Sequence, residues 1–283
     1  MPLLKPAARH SVTVSRSGAP AHSEPTGLGR RGPGVWLKVA AAILRAVLLQ
    51  LAAFGLVFGA VAAFSRLPAV PASLLPFKAL TGTERAALAL TVLPHVALAF
   101  LILAAIRLRP GNTLDPGHPF APDKALHPAT ALGFTRPDLS RRAVWLILLW
   151  PALQVAWTAG LLWLAGQPPV RAWRLSPFLT GEVFLAWTLW LVVLAPLAEE
   201  MLFRGDLFGR LTRHLAPAAT VAVATVVFVL CHAENGLLQP VSVLPLGVAL
   251  GLMRLWTGSL WPCIALHAAS NGAVVLARVW STG

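Results

Sequence analysis

The sequence predicts an all-α, polytopic membrane protein with about seven transmembrane helices. Composition is the first reason: 57% of the 283 residues are hydrophobic and only 12% are charged. The mean hydropathy is +0.72, which indicates a membrane protein rather than a soluble domain. The second reason is spacing, because the apolar residues form runs of about the 20 residues that a spanning helix needs.

Seven apolar segments predict the spanning helices. In chain order they are Trp36–Phe64, Ala86–Ile106, Ala143–Ala165, Pro177–Phe203, Pro217–His232, Pro240–Leu255 and Leu260–Val279. The fourth is expected to kink near Pro196, where the helix loses a hydrogen-bond donor. A polar helical continuation, Gly205–His214, follows it. We interpret the long, proline- and glycine-rich Arg107–Arg142 loop as a basic linker.

Positive charge predicts the orientation of the chain. The 23 Lys and Arg residues exceed the 10 Asp and Glu residues, for a net charge of +13. Most of them lie in the N-terminal tail and in every second connection, including Arg204, Arg210 and Arg254. By the positive-inside rule, the N-terminus is then cytoplasmic and these side chains touch anionic headgroups. The same distribution argues against nucleic-acid binding, since no basic patch is interleaved with exposed aromatic residues.

The tail and the cysteines support this interpretation. Residues 1–35 are polar, basic and rich in proline and glycine, with no apolar signal segment, which predicts a disordered cytoplasmic tail. The Ala-, Leu-, Pro- and Arg-rich composition without tyrosine favours the plasma membrane of a GC-rich bacterium. Cys231 and Cys263 both lie in apolar segments, so we expect them to be small core residues rather than a disulfide.

The segment Pro196–Arg204, PLAEEMLFR, places two carboxylates and a guanidinium in an apolar span. Ionisable groups at membrane depth cost roughly 3 kcal/mol each and are usually functional. Glu200 and Arg204 are four residues apart, so they share a helix face and can pair. Glu199 points about 100° away and remains free for chemistry.

Helix rise predicts what Glu199 meets. If the chain turns at Leu215–Ala216, Glu199 lies 16 residues before the turn and His232 lies 16 residues after it. At about 1.5 Å per residue, both stand ~24 Å from the turn and level with each other. His267 and Asn271 share a face of the last span, but they reach that level only if the preceding Thr257–Ser259 turn sits deeper.

These polar groups are typical of a hydrolase. A carboxylate opposite a histidine can deprotonate a water, and a second histidine with an asparagine amide can stabilise an oxyanion. Glu199, His232 and His267 would also form an acceptable zinc triad. The sequence lacks HExxH, and Ser270 has no GxSxG context, which disfavours the common zinc and serine proteases. A non-catalytic immunity or binding protein stays open, whereas a proton-coupled transporter is disfavoured by the absence of an internal repeat.

Three ordered motifs resemble a known family. They are EExxxR (Glu199, Glu200, Arg204), FxxxH (Phe228, His232) and HxxxN (His267, Asn271). This order resembles the CPBP family of intramembrane proteases, also called the Abi family, which includes the type II CAAX prenyl endopeptidases. The resemblance covers about Val183–Val279, and no motif position departs from the pattern.

The resemblance implies a membrane endopeptidase with an all-helical fold and a conical cavity that opens toward the cytoplasm. Glu199 and His232 would activate water, His267 and Asn271 would form the oxyanion site, and Glu200, Arg204 and Phe228 would support them. It implies metal-free chemistry, with zinc as the alternative. Substrates would be membrane-anchored or lipidated proteins or peptides. We accordingly divide the chain into a tail (1–35), N-terminal transmembrane helices and loops (36–176) and a catalytic membrane domain (177–283).

Overall fold

A computed structural model describes residues 33–64, 82–108, 128–168, 181–233 and 236–281. Within these ranges every regular element is helical, which confirms the all-α class. The predicted disordered tail falls almost wholly outside the described residues. We number the helices α1 (Pro33–Phe64), α2 (Gly82–Arg107), α3 (Pro128–Leu132), α4 (Arg141–Leu164), α5 (Gly181–Leu211), α6 (Pro217–Leu230), α7 (Leu238–Thr257) and α8 (Trp261–Trp280).

Six of these helices are long and apolar enough to cross a bilayer. They correspond to six of the seven predicted spans. The fifth predicted span, Pro217–His232, is the exception, because α6 ends at Leu230 and has only 14 residues. At 1.5 Å per residue it is about 21 Å long, which is shorter than the ~30 Å hydrocarbon core. The structure therefore confirms a polytopic membrane protein but not the count of seven spans.

Helix α5 departs from α-helical hydrogen bonding in two places. It is π-helical over Trp190–Leu194 and again over Met201–Leu207, and a single α-helical stretch, Ala195–Glu200, separates the two. We expected a kink near Pro196, and the residues just before it, Trp190–Leu194, form the first π turn; the kink itself stays a prediction. The polar continuation is part of the same helix and is not a solvated extension, because Gly205, Asp206 and Leu207 are buried. Such π turns occur mostly as short insertions, frequently at functional sites.

Two apolar clusters hold the helices together. One lies between α1, α2, α5 and α6 and includes Leu98, Leu202 and Phe228. The other lies between α4, α7 and α8 and includes Trp150 and Cys263. Neither cysteine forms a disulfide, and both pack in these clusters as expected, with Cys263 fully buried and Cys231 half-buried.

The described part of the Arg107–Arg142 loop is a packed element, which corrects its interpretation as a linker. Leu132 is buried, and the backbone after it docks on the α7–α8 turn. The Leu260 amide donates to the Gly133 carbonyl at 2.8 Å, and the Ser259 hydroxyl donates to the Thr135 carbonyl at 2.7 Å. The α7–α8 turn is thereby packed inside the protein, with Thr257, Ser259 and Leu260 buried. Residues 109–127 lie outside the described ranges.

A glycine face brings α7 against α6. A Cβ atom at Gly251 would stand 2.8 Å from Cγ1 of Val221, and one at Gly247 would stand 2.9 Å from Cγ2 of Thr225. Small residues four positions apart allow such close approach between membrane helices. The α6–α7 contact therefore depends on glycine at both positions.

We predict that Gly251→Ala lowers the stability of the protein. The added methyl group meets a branched side chain with little freedom to move, and overpacking of this kind costs about 1–3 kcal/mol. Thermal unfolding in detergent micelles is the measurement, with a lower midpoint expected. Gly272→Ala in α8 is the matched control, because nothing lies within 4 Å of its added Cβ. Equal midpoints for the two variants would contradict the prediction.

Candidate active site

Glu199 lies where α5, α6 and α8 meet. The short α-helical stretch between the two π turns carries it, His232 follows the end of α6, and His267 lies in α8. Oε2 of Glu199 stands 3.7 Å from Nε2 of His232 and 3.9 Å from Nε2 of His267. The side chain of Glu199 is only 12% exposed. The structure thus brings together the three groups that helix rise and periodicity had singled out.

Hydrogen bonds assign the tautomers of both histidines. Nδ1 of His232 lies 2.8 Å from the carbonyl oxygen of Phe228, and Nδ1 of His267 lies 2.9 Å from Oε1 of Glu200. Carbonyl and carboxylate oxygens only accept, so each Nδ1 carries a proton. In the neutral rings, the lone pair on Nε2 then faces Glu199.

Oε2 of Glu199 is the carboxylate oxygen available for chemistry. It is buried and has no hydrogen-bond partner among the described residues. Its separations from the two histidine nitrogens exceed a direct hydrogen bond but suit a bridging water. The arrangement therefore favours proton transfer between a carboxylate and an imidazole through a shared water.

Glu200 and Arg204 form the expected pair, and both side chains are fully buried. Nη1 of Arg204 donates to Oε1 of Glu200 at 3.0 Å, and Nη2 donates to the carbonyl of Gly247 in α7 at 3.1 Å. The same carboxylate oxygen accepts from His267. The pair therefore orients His267 and links α5 to α7 and α8.

Phe228 packs among the charged groups. The guanidinium of Arg204 lies 4.4 Å from its ring centroid, which is within cation–π range. Its ring also contacts His232, at a centroid distance of 4.5 Å, and His267, at 5.9 Å. Because Phe228 is completely buried, it restricts the orientation of both imidazoles and excludes water from the ion pair.

Asn271 contacts a different part of α5. Its amide Nδ2 donates to the carbonyl of Leu191 at 2.8 Å. In the first π turn, the Ala195 N–H bonds to Trp190 rather than to Leu191, and Pro196 has no N–H to offer the next carbonyl. Asn271 therefore satisfies a backbone acceptor that the irregular helix leaves open. Its predicted role at the oxyanion stays a prediction.

Sequence reasoning missed His95 in α2. This residue is 8% exposed, and its Nε2 stands 3.5 Å from Oε1 of Glu199. A signal was available, because an imidazole inside the apolar Ala86–Ile106 span is as unusual as those in the later spans. The motifs and the helix-rise argument concern only the last four predicted spans, so they did not predict the contact between α2 and α5.

The position of Arg254 also differs from expectation. We counted it with the residues that touch headgroups, yet it is only 5% exposed. Its Nε donates to the carbonyl of Arg204 at 3.1 Å, inside the second π turn. Gly133, with φ of +94°, passes so close to the guanidinium that a Cβ there would overlap it. Arg254 thus links α7 to α5 and to the end of α3 through buried hydrogen bonds.

Asp206 is a further buried acidic residue, and no sequence motif indicated it. It accepts from Nε of Arg45 in α1 at 3.0 Å and from Nη2 of Arg210 at 2.9 Å. Arg210 was also counted as a headgroup contact, and in the structure it pairs with Asp206. This cluster fastens α1 to the second π turn and contains no member of the Glu199 site.

The choice between metal-free chemistry and zinc stays a prediction. Within the described ranges, no group of three or more His, Cys, Asp or Glu side chains is placed to hold a metal ion. The 3.5–3.9 Å contacts around Glu199 suit side chains that share a bridging water. Two ligands of one tetrahedral zinc ion, each about 2.0–2.1 Å from the metal, would stand at similar separations.

Comparison with known proteins agrees with the geometry. The family model of the type II CAAX prenyl endopeptidase Rce1-like proteins matches residues 181–273. This segment contains the two carboxylates, the arginine, both histidines, Phe228 and Asn271, whereas His95 lies outside it. No curated protein and no solved structure matches the chain. By this match, the segment that builds the site is similar to the Rce1-like type II CAAX prenyl endopeptidases.

Proposed function

We propose that this protein is an intramembrane endopeptidase that hydrolyses a peptide bond in a membrane-anchored or lipidated protein or peptide. The observation that carries the proposal is the buried Oε2 of Glu199, which has no hydrogen-bond partner among the described residues and faces the Nε2 atoms of His232 and His267. The match of residues 181–273 to the Rce1-like type II CAAX prenyl endopeptidase model supports the reaction class.

In the proposed reaction, Glu199 and His232 hold the nucleophilic water between them. The water oxygen attacks the scissile carbonyl carbon as its proton passes to Glu199 or to Nε2 of His232. The same group then returns the proton to the leaving amine as the carbon–nitrogen bond breaks. No covalent enzyme intermediate is needed, and the low dielectric of the site strengthens each electrostatic contact.

His267 and Asn271 would stabilise the oxyanion. Nδ1–H of His267 donates to Glu200, which turns Nε2 toward the reacting atoms, and Nε2 can donate to the developing charge once the reaction has delivered a proton to it. Asn271 uses one amide hydrogen on Leu191, which leaves the second to donate. Arg204 and Phe228 keep Glu200 and the rings in place.

The setting of the reaction follows from the same proposal. Six helices in the described ranges are long and apolar enough to cross a membrane, so we expect the substrate to reach the site from the bilayer or its surface. We place the N-terminus in the cytoplasm and the protein in a bacterial plasma membrane, with no nucleic-acid partner. The distribution of basic residues and the composition support this orientation and location.

We predict that Glu199→Gln lowers kcat at least about 100-fold, since it keeps the shape of the side chain and removes the general base. The measurement is cleavage of an internally quenched, farnesylated CAAX peptide by the purified protein in liposomes, beside an unprenylated peptide carrying a transmembrane anchor. Glu182→Gln is the matched control, because Glu182 is an exposed residue of the same helix. Full turnover by a folded Glu199→Gln variant would reject catalysis by Glu199, and folded wild-type protein that cleaves neither peptide would favour the binding or immunity function.

We predict that 1,10-phenanthroline leaves the cleavage rate unchanged, because the proposed chemistry uses only the protein's own groups. The assay is the same peptide cleavage after overnight chelation, with dialysed protein as the control. A rate that is lost on chelation and restored by added Zn²⁺ would replace this mechanism with zinc ligation by Glu199, His232 and His267.

A further inference from the structure

His95 is the group that contacts the other oxygen of Glu199. It lies in α2, outside the segment that matches the family model, and its Nε2 stands 3.5 Å from Oε1. Hydrogen bonds of catalytic groups are often long in a protein without substrate and tighten when substrate binds. His95 therefore contacts the carboxylate oxygen that does not face His232 and His267.

The tautomer of His95 is set by Trp190. The indole Nε1–H donates to Nδ1 of His95 at 3.1 Å, and the two rings meet edge to face at 5.5 Å. An indole nitrogen can only donate, so Nδ1 must accept and the proton of the neutral ring lies on Nε2. The Thr91 carbonyl also lies near Nδ1, at 3.3 Å, but the indole nitrogen is closer and its N–H points at Nδ1.

The three histidines thus present different faces to one carboxylate. His232 and His267 carry their protons on Nδ1 and turn Nε2 lone pairs toward Oε2. His95 carries its proton on Nε2 and turns a donor toward Oε1. One oxygen of Glu199 therefore has a donor from the protein, and the other is left for water.

The surroundings of His95 strengthen this contact. The imidazole forms part of the wall of an apolar cleft of about 140 Å³ between α2 and α5, together with Phe100 and Leu197. In such apolar surroundings, a hydrogen bond to a charged carboxylate is stronger than it is in solvent.

We propose that His95 is a positioning residue for the general base: it donates Nε2–H to Oε1 of Glu199 and so directs Oε2 at the water held by His232. This inference rests on the proposed endopeptidase function, since it assigns His95 a part in that reaction. Trp190 in turn holds His95 in the donating tautomer. The family-matched segment then depends on an N-terminal helix to complete its site.

The first test uses a pair of substitutions at one position in the peptide-cleavage assay. His95→Phe keeps the ring and removes the donor, and we expect kcat to fall about 100-fold with KM unchanged, because misplacing a catalytic group by about 1 Å costs this much. His95→Gln restores an N–H near the position of Nε2, and we expect it to recover most of the rate. His214→Gln, in the connection between α5 and α6, is the control.

A purely structural role predicts other results. If His95 only fills space, His95→Phe retains wild-type kcat and His95→Gln is the more damaging change, and either result would overturn the proposal. Equal losses in both variants, with unfolding midpoints at the wild-type value, would also overturn it, because a restored donor would then have no effect.

The second test does not depend on proteolysis. In protein labelled with ¹⁵N-histidine, we expect the ring nitrogen shifts of His95 to show protonated Nε2 and unprotonated Nδ1, opposite to those of His232 and His267. Trp190→Phe should shift His95 toward the other tautomer, and Glu199→Gln should move its Nε2 signal. Protonated Nδ1 in the wild-type protein would overturn the proposal even if the peptides are cleaved. If the protein shows the expected shifts but cleaves neither peptide, the result would count against the endopeptidase function and would still support the His95–Glu199 hydrogen bond.

Discussion

A buried salt bridge between Glu200 and Arg204 joins four helices of this protein. Both residues belong to α5, and their partners are the Gly247 carbonyl of α7, His267 of α8 and the ring of Phe228 in α6. Removing one partner of such a pair leaves an uncompensated charge and typically costs about 3–5 kcal/mol. The pair consequently holds His267 through a hydrogen bond and contacts Phe228, whose ring packs on His232, so the positions of these two imidazoles depend on it.

The two π turns of α5 provide further contacts between this helix and its neighbours. Each π turn leaves a carbonyl whose usual α-helical donor bonds elsewhere: the Ala195 amide bonds to Trp190, and the Phe208 amide reaches Phe203. An unsatisfied carbonyl is costly in a membrane interior. Asn271 and Arg254 donate to the two carbonyls concerned, from α8 and α7. The backbone of α5 thus binds its neighbours through the same turns that flank its two carboxylates, so site geometry and helix packing are coupled.

The site is asymmetric around Glu199, and its chemistry follows from the asymmetry. On one side, a tautomer set by an indole presents a donor. On the other, two tautomers set by a carbonyl and a carboxylate present lone pairs. A general base needs one oxygen held and one oxygen free, and the arrangement supplies both. The family match covers residues 181–273, and the contact from α2 extends the site beyond these residues.

The parts of the site that sequence alone determined are those that follow from helical geometry. A period of 3.6 residues pairs Glu200 with Arg204, and equal rise from a shared turn brings Glu199 level with His232. Hydropathy likewise determined six of the spans and the helical class, because the bilayer sets the length of an apolar helix. The count of seven spans is not confirmed, because α6 has only 14 residues, fewer than a helix needs to cross the hydrocarbon core.

Tertiary structure alone decided the remaining contacts. His95 reaches Glu199, Arg254 reaches the carbonyl of Arg204, and the segment after α3 covers the α7–α8 turn, all across long separations in the chain. Asn271 shares a face with His267 as predicted, but its partner is a carbonyl that a π turn makes available. Periodicity describes which residues share a face of one helix. It carries no information on which helices become neighbours or where a helix departs from regular bonding, because packing between distant segments determines both.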